Sequence, residues 1–165
     1  MLGAILPGVS HLQNIHPLIV HFPLALLPAS LLLYVLAWLA NRRDWAWAGL
    51  WLLGLGTLGA AAAVASGLHG AEGVMIAPSV RSHLLWYHKR IMLSALGLSV
   101  VLSVWALAMR PLPGKGRFAI TRLAFLALLV VLVAGLTVGA DFGGRMVYDY
   151  NAGGNACPQP IDFTK

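Results

Sequence analysis

The stretch His16-Pro-Leu-Ile-Val-His21-Phe-Pro23 stands at the start of a long apolar segment and determines how the rest of the chain is interpreted. Residues 17–40 are long and apolar enough to cross about 30 Å of hydrocarbon, and charge returns only at Asn41-Arg-Arg-Asp44. Two histidines therefore stand at the mouth of a predicted membrane helix. A second stretch with the same histidine spacing, His83-Leu-Leu-Trp-Tyr-His88-Lys-Arg90, opens another apolar segment. Two such mouths predict one shared histidine site.

The composition of the whole chain is that of a membrane protein. Hydrophobic residues occupy 59% of the 165 positions and charged residues only 10%, which excludes an ordinary soluble globule. The formal net charge of +6 does not indicate nucleic-acid binding, because the basic residues are spread over the predicted loops. Cys157 is the lone cysteine, which excludes an internal disulfide, a CxxCH haem attachment and a cysteine-rich metal site.

Three further apolar segments follow, at residues 45–69, at 83 or 88 to 109, and at 118–140. Four spans with short connections predict an all-α, integral membrane, up-and-down four-helix bundle over residues 16–148. Residues 1–15 carry no basic side chain and are too short to span, so we expect an N-terminal interfacial segment there. Residues 149–165 are expected to form a polar C-terminal tail.

The orientation of the bundle depends on the loops. Basic residues are divided almost evenly between the two faces, whereas four of the five acids share the face of the termini: Glu72, Asp141, Asp149 and Asp162. We therefore predict a multi-pass protein of the bacterial inner membrane with both termini periplasmic. Asp141 is expected to accept a hydrogen bond from a residue of the site, to take part in a proton path, or to end the fourth span.

All six histidines fall at one membrane face whatever the orientation: His11, His16, His21, His69, His83 and His88. Ionisable groups at such positions usually face the interior of a bundle, so a functional site is the default hypothesis. Any one of them could instead be a capping or interfacial residue. His21, His69 and His88 lie at comparable depth, and helices one and three are diagonal in an up-and-down bundle. We therefore expect His21 and His88 to face each other across the bundle axis.

Such a diagonal pair suits bis-imidazole ligation of a b-type haem, with His69 as a substitute or supporting residue. Arg81, Lys89 and Arg90 lie at the same water boundary, where they would pair with haem propionates or simply extend to the interface. A regular helix places His16 and His83 about 140° from the favoured pair. They are expected to form a second pair or to act as caps, or to join His21 and His88 in a copper or zinc site.

Small residues recur along the helices next to these histidines. The second span has Gly59, Ala63 and Gly67, the fourth has Gly135, Gly139 and Gly143, and the third has Ala95, Ser99 and Ala106 below His88. Such stripes favour close helix packing. Beside a histidine pair, they would also leave room for a porphyrin.

The opening stretch, the four spans and the closing Gly143-Gly-Arg-Met-Val-Tyr148 resemble the bacterial membrane family known as domain of unknown function 2231. The resemblance covers roughly residues 14–154. It implies a four-span prokaryotic membrane module without an assigned activity, which in some relatives is joined to c-type cytochrome modules. That association favours redox work but transfers no site residue. The tail after Tyr148, with Tyr150 and Cys157, departs from the family pattern.

These observations favour a membrane b-type haem electron-transfer subunit that passes electrons, from quinol, to a partner at the periplasmic face. The protein would be a non-catalytic part of a larger membrane redox complex or act with a cytochrome c-type partner. One alternative is a non-redox subunit or anchor whose histidines bind copper or zinc. Another is a haem-free quinol-handling or proton-relay subunit.

Overall fold

The computed structural model describes residues 15–74, 76–109 and 119–152. These residues form four helical spans long and apolar enough to cross a membrane: His16–Ala40, Arg43–Gly73, Pro78–Met109 and Ile120–Tyr148. No strand occurs among the described residues. The predicted all-α four-span architecture is thereby confirmed.

The first span consists of a single turn, α1 (His16–Ile19), and the longer α2 (His21–Ala40), with a break at Val20. Pro23 explains the break, because its nitrogen cannot donate to the Ile19 carbonyl and its ring crowds the preceding turn. The span ends at Asn41, whose φ of 53° is the left-handed conformation common at helix ends.

The second span is one helix, α3 (Arg43–Gly73), and the third begins with α4 (Pro78–Val80) and a π-helical turn at Arg81–Leu85. The third span continues as α5 (Trp86–Met109), and the fourth is α6 (Ala119–Tyr148). The π-helical turn changes the local residue count per turn. The angle that a regular helix would set between His83 and His88 therefore does not apply.

Two helices run further than hydropathy predicts. Hydropathy places their ends at residues 69 and 140, whereas α3 continues to Gly73 and α6 to Tyr148. Asp141 is exposed within α6 and does not end it. The extension of α6 is held by packing, since Met146 is buried together with Val80 and Leu84 from the start of the third span.

The spans pack in the cyclic order of an up-and-down bundle. Helix α2 packs against α3, α3 against α5, α5 against α6, and α6 back against α2. The first and third spans are therefore diagonal, as are the second and fourth. We name the end of the bundle at which His16, His21, His69, His83 and His88 lie the histidine face; His11 is outside the described residues.

Four fully buried leucines belong to the core cluster of the bundle. Leu27, Leu53, Leu102 and Leu129, one from each span, have no exposed surface. The outward surfaces are also apolar, as the bilayer requires, with Trp51 70% exposed. Among the described residues, the middle of the bundle is thus occupied by packed apolar side chains.

Candidate functional site

His16 and His88 face each other across the bundle at the histidine face. Their ring centroids are 6.5 Å apart and their planes are inclined by 88°. Both side chains are partly buried, and they come from the two diagonal spans, the first and the third. The sequence predicts a diagonal histidine pair, but with His21 rather than His16 as the partner of His88.

The prediction that His21 faces His88 is wrong, and the buried face of α2 shows why. Pro23, Leu27 and Ser30 are buried there, and His16 lies seven residues before Pro23, close to two full turns. His21 lies only two residues before Pro23, which places it on the opposite side, and it is exposed. Ser30, Pro23 and His16 are spaced seven residues apart, and this spacing is the sequence signal that places His16 on the inner face.

The His16 ring is held by the second span. Its Nδ1 donates to the Ala63 carbonyl at 2.8 Å and lies 3.2 Å from Ser66 Oγ. Ser66 Oγ in turn donates to the same Ala63 carbonyl at 3.0 Å. Because a carbonyl oxygen only accepts, the proton of the neutral ring is on Nδ1. Sequence reasoning did not identify Ser66, whose part depends on a contact 50 residues apart along the chain.

The His88 ring is held in the same way by the fourth span. Its Nδ1 donates to the Gly139 carbonyl at 2.8 Å. Both imidazoles are therefore fixed by backbone carbonyls as Nδ1-protonated rings, and Nε2 is the nitrogen that carries the lone pair in each. A carbonyl bonded to one ring nitrogen is the usual support for an imidazole that binds a metal through the other.

Glycine makes room for both rings. A Cβ added at Gly67 would lie 2.8 Å from His16 Cε1, and one added at Gly143 would lie 3.2 Å from His88 Cε1. Similarly, the positions of Gly59 and Gly139 are crowded by Phe22 and Met92 from the adjacent spans. Gly59, Gly67, Gly139 and Gly143 thus allow close packing, as predicted, whereas a Cβ at Gly135 would meet nothing within 4 Å. Ala95, Ser99 and Ala106 are buried, as expected for a face below His88.

The remaining predicted histidines lie apart from this pair. His69 and His83 are exposed, and His83 Nδ1 lies 3.3 Å from Ser82 Oγ, its neighbour in the chain. Within the described ranges, no group of three or more His, Cys, Asp or Glu side chains is placed to hold a metal ion. The structure therefore brings together two of the predicted ligands, His16 and His88.

Two of the three cations expected near the site, Arg81 and Arg90, have other contacts. Arg81 donates to the Ala71 carbonyl at 2.9 Å and to the Val74 carbonyl at 2.8 Å, across the connection between the second and third spans. The Arg90 guanidinium lies 4.2 Å from the centre of the Trp86 ring. Lys89 is partly buried. Arg81 and Arg90 thus stabilise the rim of the histidine face.

A separate groove opens towards the lipid between α3 and α5. Its volume is about 310 Å³, and it is lined by Trp51, Gly54, Leu55, Thr57, Leu58 and Ser103. Two hydroxyls, Thr57 Oγ1 and Ser103 Oγ, lie 3.0 Å apart beneath this apolar lining, and the buried Thr57 Oγ1 donates to the Leu53 carbonyl at 2.8 Å. Thr57 is near the middle of the second span, so the groove is accessible to molecules dissolved in the bilayer.

The comparisons with known proteins point to one family. The family model described as "Predicted membrane protein (DUF2231)" matches residues 12–156, which is most of the chain. No curated protein and no solved structure matches the sequence. The matched region contains all four spans and both histidines of the pair. The chain therefore belongs to the DUF2231 family of predicted membrane proteins.

Proposed function

We propose that the protein is a membrane electron-transfer subunit in which His16 and His88 are the two protein ligands of one b-type haem. The observation that carries the proposal is the facing pair of imidazoles, 6.5 Å apart between centroids, on diagonal spans. Two imidazoles that bind one metal from opposite sides, with metal–nitrogen distances of about 2 Å, would have ring centres separated by about 6 Å, whereas a tetrahedral metal would bring them to about 5 Å. The observed separation is close to the first value.

The donor set also supports haem. His16 and His88 would be the two protein ligands that hold a b-type haem, and each ring has its Nδ1 proton fixed on a carbonyl. When bound, such a haem supplies one-electron oxidation and reduction. The chain's own part is to fix the tautomer and direction of the two rings and to hold them in an apolar bundle. Lys89, near the water boundary, is the residue we assign to a propionate.

The place of the protein follows from the same proposal. We assign it to the bacterial inner membrane with the histidine face periplasmic, where a cytochrome c-type partner or a larger redox complex would receive the electron. The aromatic rim formed by Trp86, Tyr87 and Phe142 lies at that face, with the Tyr87 and Phe142 rings stacked at 6.0 Å.

A second candidate function, the handling of quinol, is favoured by the groove between α3 and α5. A quinol is largely apolar and membrane-dissolved, which suits the apolar lining of this groove, and the Thr57 and Ser103 hydroxyls lie beneath that lining, 3.0 Å apart. With haem bound, the groove would be the site of the electron donor. Without haem, it would be the functional site by itself.

The test is the absorption spectrum of the full chain purified in detergent from haem-replete cells, oxidised and then reduced with dithionite. His16→Asn and His88→Asn are the informative variants, because asparagine can place an amide N–H near the position of Nδ1 but has no second ring nitrogen. His21→Asn and His83→Asn are matched controls at exposed positions of the same face.

We expect a haem spectrum in the wild type and in both controls, and its loss in each of the two informative variants. A colourless wild type would contradict the haem proposal. Metal analysis of that sample would then test for copper or zinc bound by the same pair. Loss of bound quinol in Ser103→Leu, in a colourless protein, would support the second candidate.

A further inference from the structure

We infer that the bundle consists of two equivalent helical hairpins and that His16 and His88 are the same residue of this repeat, in two matching imidazole sockets. A socket is defined here as a histidine of the first helix of a hairpin, with the carbonyl and the glycine that hold its ring on the second helix. One socket is His16 with Ala63 and Gly67, and the other is His88 with Gly139 and Gly143.

The two sockets have the same spacing. In each, the glycine lies four residues after the carbonyl, and the ring's Nδ1 and Cε1 lie against the second helix; His16 has in addition the contact of Nδ1 with Ser66 Oγ, and its Nε2 lies 3.4 Å from the Cβ position of Gly67. His88 lies 72 residues after His16 in the chain. Gly139 lies 76 residues after Ala63, and Gly143 lies 76 residues after Gly67. Two fixed displacements, one for each helix of the hairpin, therefore relate the sockets.

The same displacements relate eight pairs of buried positions in the two hairpins, whereas the buried Ala37, Leu50 and Thr57 map to partly buried residues. Three residues of α2 correspond to three of α5, and five of α3 correspond to five of α6, and all sixteen are buried. They are Pro23, Leu27 and Ser30 with Ala95, Ser99 and Leu102, and Gly49, Leu53, Gly56, Ala60 and Ala63 with Phe125, Leu129, Leu132, Leu136 and Gly139. The side chains differ in seven of the eight pairs, Leu53 and Leu129 being identical, whereas the burial of these positions repeats.

At one pair of corresponding positions, the large and the small side chain are on opposite helices in the two hairpins. In the first hairpin the large residue is on the first helix, where the Tyr34 ring lies against Gly49, 3.1 Å from where a Cβ would be. In the second hairpin the corresponding positions are Ala106 and Phe125, so the large residue is on the second helix. Tyr34 and Phe125 meet edge to face with centroids 5.0 Å apart.

This arrangement makes the histidine pair nearly symmetrical. The first and third spans both start at the histidine face and run in the same direction, so the axis that relates the hairpins is parallel to the membrane normal. His16 and His88 lie on opposite sides of that axis. A ligand between them receives one equivalent imidazole from each hairpin. This last step rests on the proposed function, whereas the repeat rests on packing alone.

The sockets are tested with Gly67→Ala and Gly143→Ala, each of which places a methyl group against one imidazole. Gly54→Ala and Gly135→Ala are matched controls on the same two helices, because a Cβ there meets nothing within 4 Å. The readout is ¹⁵N NMR of histidine-labelled, metal-free full chain in detergent, which reports the tautomer and hydrogen bond of each ring.

We expect Gly67→Ala to remove the Nδ1-protonated signal of His16 and leave that of His88, and Gly143→Ala to do the reverse. The controls should leave both signals unchanged. If only one ring is Nδ1-protonated in the wild type, or if the controls act like the socket variants, the inference is wrong. Because the protein is metal-free, absence of haem would defeat the proposed function and leave this result unaffected.

The repeat itself is tested by transferring the volume pattern of the second hairpin to the first. Gly49→Phe alone should lower the thermal unfolding midpoint in detergent, because its ring collides with Tyr34, and Tyr34→Ala alone should lower it by leaving a cavity. The double variant reproduces the small–large pair of the second hairpin, so its midpoint should exceed that of both single variants. A midpoint of the double variant no higher than that of the more stable single variant would overturn the equivalence of these positions.

Discussion

At the scale of single residues, side-chain donors join neighbouring spans by reaching backbone carbonyls. His16 and His88 do this at the histidine face, and Ser30 does it deeper in the bundle, where its buried Oγ donates to the Gly49 carbonyl at 2.8 Å. In a bilayer no water competes for these groups, so each bond fixes the register of one helix against the next.

Ser30→Ala is expected to destabilise the first hairpin by about 1 kcal/mol, because the bond to the Gly49 carbonyl is lost in a buried place. Thr137→Ala is the control, since Thr137 is exposed and donates only to the Val133 carbonyl of its own helix. The measurement is the unfolding free energy in detergent. Equal effects of the two substitutions would contradict the role given to Ser30.

The histidine pair shows what a sequence predicts of a single residue and what it leaves open. The presence of a diagonal pair and the participation of His88 follow from spacing and depth. The prediction of His21 as the partner of His88 is wrong, because it considers only the depth of the residue in the membrane, and His16 is the partner. Which of two histidines points inwards depends on the buried face of α2, and that face is fixed by Pro23, Leu27 and Ser30 against neighbouring spans.

At the scale of the elements, the ends of the helices are determined by local contacts more than by hydropathy. The apolar runs predict four spans in the right order, yet α3 and α6 extend beyond them at the histidine face. Arg81 donates to carbonyls at the end of α3, and Met146 packs on Val80 and Leu84. Such contacts depend on the fold and have no periodic signal in the sequence.

Arg81→Gln is expected to loosen the end of α3, because two hydrogen bonds to the Ala71 and Val74 carbonyls are lost. If the substitution lowers the free energy of local opening by about 1 kcal/mol, the rate of amide hydrogen exchange near residues 71–74 should rise roughly fivefold. Arg90→Gln serves as the control, since Arg90 is exposed and lies over Trp86. An unchanged exchange rate in Arg81→Gln would contradict the stabilisation of the end of α3 by the Arg81 guanidinium.

At the scale of the whole molecule, the bundle has two unlike ends. The histidine face carries the imidazole pair and the aromatic rim, while the other end carries the exposed ion pair between Arg42 and Asp44 at 2.6 Å. The all-α up-and-down architecture was fully predictable, because composition and the four apolar runs leave few other arrangements. The pseudo-symmetry was not, since the sequences of the two hairpins differ at most buried positions.

The orientation of the bundle can be tested with single cysteines in a Cys157→Ser background. Ser82→Cys is exposed at the histidine face, and Ala40→Cys is exposed at the opposite end. With the histidine face periplasmic, a membrane-impermeant maleimide that crosses the outer envelope should label Ser82→Cys in intact cells. Ala40→Cys should be labelled only after the inner membrane is permeabilised. The reverse pattern would invert the orientation.

The most direct test of the central claim, that His16 and His88 together hold one haem, is the low-temperature electron paramagnetic resonance spectrum of the oxidised, purified protein. We predict a low-spin ferric signal typical of two axial imidazoles, which changes to high spin or disappears in His16→Asn and in His88→Asn and persists in His21→Asn. A wild-type spectrum without low-spin ferric haem, or one that survives the loss of either histidine, would contradict the account.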